Sequence, residues 1–144
     1  MSENQHTMIN FFCEDIDFKV SQIRKTKAWL KTIILNEGFE LRDLNYLFCS
    51  DDYVLNINRQ YLNHDFYTDI ITFDNSEIHS QIEGDIFISI ERVRENALML
   101  SQSFDTELCR VLAHGLLHLV GYNDLTDDQE KQMRAKESFY LSLF

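Results

Sequence analysis

The sequence predicts an α+β fold built as one domain, with a few-stranded mixed β-sheet packed against about five helices. β-branched and aromatic runs, which favour strands, cluster in the first two thirds of the chain, and helical periodicity dominates the last third. The 144 residues are the usual size for one domain and suffice to bury a core. We find no internal repeat, low-complexity tract or linker, so residues 1–144 are interpreted as a single domain.

Strands are predicted where short apolar or β-branched runs occur between polar segments. These runs cover residues 8–12, 44–49, 68–74 and 84–90. The segment 75–83, which joins the last two runs, is a candidate for an additional edge strand.

Helices are predicted where apolar residues recur at helical spacing and capping residues stand at the ends. The predicted helices cover residues 19–37, 51–62, 91–102, 105–120 and 126–143. Gly38 follows the first helix as a natural C-cap. Thr126 and Gln129 have the spacing of a capping box at the start of the last helix.

The charge balance is strongly acidic, with 13 basic against 24 acidic residues and a net charge of −11. Such a surface repels the phosphate backbone of nucleic acids on average. Any role in nucleic-acid chemistry must therefore come from a local site. A bound metal ion would be one source of local positive charge.

Neither the cysteines nor the N-terminal residues indicate an extracellular or membrane protein. Cys13, Cys49 and Cys109 are scattered, odd in number and without a CxxC pair, so we interpret them as small apolar residues in a reducing compartment. The N-terminal stretch MSENQHTMIN lacks the basic flank and apolar core of a signal peptide. No apolar run approaches the roughly 20 residues of a membrane span. We expect a cytoplasmic protein without a membrane segment.

The stretch AHGLLHLVGYND at 113–124 carries the candidate chemistry. His114 and His118 are four residues apart, so on a helix both rings lie on one face and can aim at a common point. Gly121 can adopt a positive φ and end the helix, after which the returning chain can bring Asp124 towards the imidazoles. Two nitrogens and one oxygen would hold a metal ion and leave a position open for water.

The histidine spacing alone also fits two polar residues at the edge of the core. HExxH metalloproteases share this spacing, and the helix is expected to be a metzincin-like metal-site helix. Gly115 stands where those enzymes carry their glutamate base, so the pattern is not that of a standard metalloprotease. The sequence leaves the general base open, with metal-bound hydroxide as one candidate.

HGLLHLVGYND resembles the signature of the YbeY endoribonuclease family, which reads HGxLHLxGYDH. The stretch LNINRQYLNHDFYTDIITF is similar to the family's upstream motif, with these residues in register: Asn58, Tyr61, Asp65, Thr68, Asp69 and Phe73. EGDIFIS at 83–89 resembles a family strand, and DDQEKQMRAKE resembles the acidic helix after the signature. The matches extend from about residue 55 to residue 137.

The resemblance implies a small α+β domain that holds a metal ion through three histidines. It implies metal-dependent endoribonuclease cleavage of single-stranded RNA, in maturation of the 3′ end of 16S ribosomal RNA and in ribosome quality control. Ribosomal RNA and the small ribosomal subunit or its proteins are the implied partners. We expect one Zn²⁺ ion as cofactor.

This sequence departs from the family pattern at several positions. Asp124 replaces the third histidine, and a carboxylate oxygen is a legitimate zinc ligand, so His114, His118 and Asp124 are the predicted metal ligands. Tyr67 replaces a proline, which leaves the loop less rigid. His64, in the same stretch, is interpreted as a surface residue.

Leu62 replaces an arginine that is important in the family, and leucine cannot stabilise phosphate charge. Arg59, one helical turn earlier, and Arg110, four residues before His114, are the candidate catalytic replacements. As an alternative, Arg110 pairs with Glu107 on a solvated helix face.

Two other functions remain open at this point. One is a metal-dependent hydrolase of another substrate, such as a peptide. The other is a ribosome assembly factor without catalysis, whose metal site is structural or vestigial.

Overall fold

Four strands and five helices make up the computed structural model, which describes residues 8–144. The strands are β1 (Met8–Cys13), β2 (Glu40–Cys49), β3 (Ile70–Asp74) and β4 (Gln81–Ser89). The helices are α1 (Ile23–Asn36), α2 (Asp51–Leu62), α3 (Ile90–Met99), α4 (Phe104–Val120) and α5 (Asp127–Leu141). The predicted α+β class is confirmed. Residues 1–7, which contain most of the stretch that lacks signal-peptide features, lie outside the described residues.

The described strands form one mixed sheet in the order β1-β2-β4-β3. β1, β2 and β4 run parallel, and β3 pairs antiparallel with β4 at the edge of the sheet. β2 is flanked on both sides and begins at Glu40 rather than at the predicted residue 44. The longer strand is explained by its pairing with β4, which extends back to Glu40 opposite Gln81.

The additional edge strand that we expected within 75–83 is wrong for residues 75–80, which form turns and bends. The carboxylate of Asp74 accepts hydrogen bonds from the backbone N–H and the hydroxyl of Ser76, at 2.9 and 2.7 Å. The N–H of Gln81 donates to the carbonyl of Ile78 at 3.0 Å. These local bonds favour turns over strand pairing, so β4 begins only at Gln81 and β3 is itself the edge strand.

The helix ends are set by local backbone conformation. α1 begins at Ile23 rather than at residue 19, because Gln22 has a left-handed conformation with φ of 51°. α3 ends at Met99, shortly before Ser101, whose φ is 54°. The predicted capping box is confirmed, since Thr126 and Gln129 cap α5 reciprocally. No helix in the described part of the chain is both long and apolar enough to cross a bilayer.

The main core lies between the sheet and α1, α4 and α5. Alternate residues of β2 point into it, namely Leu44, Tyr46 and Phe48. The buried Tyr46 hydroxyl donates to the carbonyl of Leu112 at 2.8 Å, which ties α4 to the central strand. A smaller cluster, formed by Cys49, Val54 and Ile71, lies on the other face of the sheet beneath α2.

Two glycines let the sheet and α4 approach each other closely. A Cβ on Gly115 of α4 would lie 2.8 Å from Cδ1 of Ile70, and one on Gly84 of β4 would lie 2.5 Å from the carbonyl oxygen of Phe73. Contacts this short do not occur between real atoms, so both positions require glycine unless their neighbours move. Because Gly115 faces the sheet, His114 beside it points about 100° away around the helix.

We expect Gly84→Ala to destabilise the protein by roughly 1–3 kcal/mol, because its methyl group would meet fixed backbone of the neighbouring strand. Gly115→Ala should cost less, since it meets the mobile end of the Ile70 side chain. Urea unfolding of both variants, with equal m-values as a control for two-state behaviour, measures the difference. Equal stability of the Gly84 variant and the wild type would contradict this packing.

The cysteines give a second check on the core. Burial raises the pKa of Cys49 to about 12 and that of Cys109 to about 11, whereas Cys13 is exposed. We therefore expect iodoacetamide to label one thiol of the native protein rapidly at neutral pH and all three after unfolding in urea. Mass spectrometry of the labelled peptides identifies the reactive residue, and rapid labelling of Cys49 in the native protein would be inconsistent with the fold.

Candidate metal centre

His114 and His118 lie one turn apart on the same side of α4. The helix ends at Gly121, whose φ of +121° is readily adopted only by glycine, so the predicted end of the helix is confirmed. The N–H of Gly121 donates to the carbonyls of Leu117 and His118, which completes the last turn. The chain then reverses, and the connection to α5 brings Asp124 back towards the two rings.

Three electron-pair donors converge at this point. The Nε2 atoms of His114 and His118 are 3.0 Å apart. Oδ2 of Asp124 lies 3.4 Å from Nε2 of His114 and 3.5 Å from Nε2 of His118. Within residues 8–144, these three side chains are the group whose ligand atoms could hold a metal ion, with all ligand atoms within 4.8 Å of one another. The structure thus brings together the three residues that the sequence singled out.

The outer ring nitrogens determine the protonation of the inner ones. Nδ1 of His118 lies 3.0 Å from the carbonyl oxygen of Tyr122, which can only accept a hydrogen bond. Nδ1 of His114 lies 2.6 Å from a carboxylate oxygen of Glu137. Each Nδ1 therefore carries the proton, as we infer from its partner. In the neutral rings both Nε2 atoms are then bare acceptors that face a third acceptor on Asp124.

This donor set fits a cation. Two imidazole nitrogens and a carboxylate oxygen this close together present lone pairs that repel one another unless a proton or a metal ion lies between them. Burial and the neighbouring His114 lower the pKa of His118, although Asp124 opposes this effect. His118 is accordingly neutral at neutral pH, with its Nε2 lone pair available for a metal ion.

A buried ionic network lies behind His114. Glu137 and Glu107 are almost completely buried, and Arg110 bridges them. Arg110 donates from Nη2 to Glu107 at 2.5 Å and from Nη1 to Glu137 at 3.2 Å. Burial opposes the ionisation of Glu137, but the hydrogen bond from His114, the positive charge that His114 carries when protonated and the charge of Arg110 outweigh it, so the pKa of Glu137 is lowered. An ionised Glu137 therefore accepts the Nδ1–H of His114 and fixes its ring.

A second network supports the His118 side. The hydroxyl of Tyr122 donates to Oε1 of Glu37 at 2.8 Å, and Lys136 lies 3.2 Å from Oε2 of the same carboxylate. The Tyr140 hydroxyl also donates to Glu37. Because the Tyr122 carbonyl accepts the Nδ1–H of His118, the end of α1 and α5 together hold the orientation of the second ring.

The two candidate arginines occupy different environments. Arg59 is exposed at the end of α2, with its Nε 2.5 Å from Oδ1 of Asp65. Arg110 makes the alternative pair that we considered, with Glu107, but Glu107 is fully buried and does not lie on a solvated face. Among the described hydrogen bonds, neither arginine donates to the metal-ligand candidates; Arg110 acts on His114 only through Glu137.

The substituted positions of the upstream motif lie on the surface. Leu62 is the last residue of α2 and is exposed, as are His64 and Tyr67 in the following loop. The surface position expected for His64 is confirmed, and its ring stacks on Phe66 with centroids 5.2 Å apart.

Sequence reasoning missed the residues that orient the histidines. Glu137 lies 23 positions after His114, and Glu37 lies 85 positions before Tyr122. An acidic residue inside an amphipathic helix looks like any surface glutamate in the sequence. The available signal was the position of Glu137 in the stretch DDQEKQMRAKE, which resembles the family's final helix.

Comparisons with known proteins find relatives that match most of the chain. A family model described as "Endoribonuclease YbeY" matches residues 8–144. A protein of Cytophaga hutchinsonii with that name is 54% identical over 135 residues, which cover 94% of each chain. Another from Flavobacterium psychrophilum is 49% identical over 137 residues, which cover 95% of this chain and 96% of the relative.

A solved structure shares the fold. The solution structure of a protein from Thermotoga maritima is similar with a TM-score of 0.68 and 29% sequence identity. The similarity covers 93% of this chain and 87% of the other. The arrangement of strands and helices is therefore common to both proteins.

We expect Glu137→Gln to weaken Zn²⁺ binding about 10- to 100-fold, because a neutral amide holds the His114 ring less firmly and lowers the basicity of its Nε2. Competition with a chromophoric chelator measures the affinity. Glu130→Gln, an exposed substitution on the same helix, is the matched control and should bind as the wild type does. Unchanged affinity in the Glu137 variant would show that its carboxylate does not support the site.

Proposed function

The chain belongs to the endoribonuclease YbeY family, and from that premise we propose that it cleaves single-stranded RNA as a metal-dependent endoribonuclease. The single observation that supports the metal dependence is the convergence of two imidazole nitrogens and one carboxylate oxygen, from His114, His118 and Asp124. A set of two imidazoles and one carboxylate is suited to Zn²⁺ and leaves a coordination position for water or substrate.

The chemistry follows from this ligand set. When bound, Zn²⁺ supplies a Lewis acid that polarises a phosphoryl oxygen and lowers the pKa of a bound water. His114 and His118 contribute neutral nitrogens, held by Glu137 and the Tyr122 carbonyl. Asp124, about one third exposed, contributes an anionic oxygen from the solvent side. The two ring-holding contacts keep both Nε2 atoms aimed at the reaction site.

The arginines take two roles in this proposal. Arg59 is the candidate for contact with an RNA phosphate, because its ion pair with Asp65 is exposed and such pairs open at little cost. Arg110 is a positioning residue, since its described hydrogen bonds go to Glu107 and Glu137. It acts on the chemistry through the carboxylate that holds His114.

The biological substrate that we propose is ribosomal RNA, at the 3′ end of the 16S molecule, with a further part in ribosome quality control in the cytoplasm. The net charge of −11 disfavours tight binding to naked RNA. We therefore expect the small ribosomal subunit or one of its proteins to supply part of the affinity and the selection of the cleavage position.

The first test is metal content together with cleavage. We expect the wild-type protein to hold about one zinc ion per chain and to cleave single-stranded RNA in a chelator-sensitive way. His118→Ala should lose the metal, with at least about a 100-fold loss of activity. Elemental analysis and cleavage of a labelled oligonucleotide are the measurements. His79→Ala, an exposed histidine outside the centre, is the control and should match the wild type.

Equal and negligible metal in the wild-type and His118→Ala proteins would remove the proposed mechanism. Casein assayed in parallel separates an RNA-cleaving enzyme from a hydrolase of peptides. In cells, a nuclease predicts that His114→Ala does not restore the ribosomal RNA 3′ ends lost on gene deletion. Restoration by this variant would indicate an assembly factor without catalysis.

A further inference from the structure

An exposed group of aromatic side chains stands on the segment between α2 and β3. Tyr61 is 64% exposed, Phe66 is 55% exposed and Tyr67 is 50% exposed. His64, also exposed, stacks on Phe66 with an interplanar angle of 22°. We refer to Tyr61, His64, Phe66 and Tyr67 as the aromatic platform. Large aromatic rings normally bury their faces, so four exposed rings on one segment of seven residues suggest a binding surface.

The backbone beneath the platform is fixed by the fold. The side-chain N–H of the buried Asn58 donates to the carbonyl of Phe66 at 2.9 Å. The Asn58 carbonyl accepts the N–H of His64 at 3.1 Å, which closes the end of α2. The platform rings are therefore carried on a backbone that is bonded to the helix, and binding would cost less ordering than a free loop requires.

β3 connects the platform to the part of the sheet that packs against α4. This strand begins at Ile70, three residues after Tyr67, and Ile70 packs against Gly115, the neighbour of His114. A cavity of about 590 Å³ is lined by Asp69, next to the platform, and by Arg110 and Glu137, which support His114. The cavity therefore connects the neighbourhood of the platform with the side chains that support His114.

The charges around the platform favour stacking over electrostatic attraction. Arg92 lies over the Tyr67 ring at 5.5 Å, but it is also paired with Asp51 at 2.6 Å. Arg59 is paired with Asp65, and Asp52 accepts a hydrogen bond from the Tyr67 hydroxyl. These carboxylates balance both arginines. Base faces, which are uncharged, can approach such a surface more easily than a phosphate backbone can.

We propose that the aromatic platform binds the unpaired bases of single-stranded RNA by stacking and so directs the strand to the metal centre. This inference rests on the proposed function, in which RNA is the substrate. This explains how a protein with a net charge of −11 holds RNA. It also explains a preference for single strands, because bases inside a duplex have no free faces for the rings. Arg59 then exchanges Asp65 for one phosphate of the bound strand.

The test uses the zinc-loaded protein and a short single-stranded oligonucleotide that carries 2′-O-methyl groups and a 2-aminopurine base. We expect Phe66→Ala to weaken binding roughly tenfold, the loss expected when one base loses its aromatic partner. Phe66→Leu should weaken it similarly, although leucine is apolar, whereas Phe66→Trp should restore or tighten binding. Quenching of 2-aminopurine fluorescence by the wild type, reduced in the alanine variant, reports stacking directly.

Kinetic and salt measurements separate this role from a structural one. On the cleavable RNA, Phe66→Ala should raise KM about tenfold with kcat and zinc content unchanged. Binding should depend only weakly on salt. The logarithm of the association constant should fall with the logarithm of the salt concentration with a slope of about −0.7, the value expected for one phosphate contact on a single strand. The matched control is Phe12→Ala, which removes a comparably exposed phenylalanine ring from β1, at the opposite edge of the sheet from β3, and should leave binding unchanged.

Several outcomes would overturn the proposal. Wild-type affinity in Phe66→Ala, full affinity in Phe66→Leu, or equal loss in the Phe12→Ala control would each exclude base stacking. Normal RNA binding with lost binding to small-subunit particles would assign the platform to a protein partner instead. If the wild type binds RNA in a Phe66-dependent way but does not cleave it with zinc, the proposed catalytic function fails and the platform remains.

Discussion

The hydrogen bond between Glu137 and His114 is the interaction on which the metal centre depends. It places a buried carboxylate behind a histidine, at 2.6 Å, and so decides which ring nitrogen carries the proton. Arg110 makes this carboxylate tolerable in the interior, because its positive charge keeps Glu137 ionised and paired. Buried ion pairs contribute little net stability relative to apolar packing. The main contribution of this network is therefore to orient the His114 ring. It joins α4 to α5 and so fixes the position of Nε2 of His114.

The same helix has to satisfy a packed core and a polar site at once. Its sheet-facing side carries Gly115, which lets α4 approach Ile70, while the side with His114 and His118 turns towards α5 and the returning loop. A bulkier residue at Gly115 would press on the sheet and shift the two rings together. The packing of the core and the geometry of the ligands are thus controlled by adjacent residues of one helix.

Charge explains how this molecule can act on RNA. A net charge of −11 repels a polyanion such as RNA. At physiological salt this repulsion is screened beyond the Debye length of about 8 Å. In the proposed function, local features then decide binding, namely a cation held by the three candidate ligands and the exposed aromatic rings on the α2–β3 segment. Such a protein gains little from non-specific electrostatic attraction to RNA. Selection of the RNA then depends on the local site and on a binding partner.

Local sequence predicted most of the elements and the three side chains that converge at the candidate site, because these follow from spacing along the chain or from single capping residues. The helical period places His114 and His118 together, Gly121 permits the turn, and Thr126 with Gln129 caps α5.

The tertiary structure decided what depends on residues far apart in the chain. Glu137 and Glu37 support the site from distant positions, and Arg110 lies in a buried network rather than on a solvated face. The turns at 75–80 replaced an expected strand because hydrogen bonds of Asp74 and Gln81 within the segment compete with pairing. Periodicity predicts which face of a helix or strand is apolar, but it does not predict which distant side chain packs against that face.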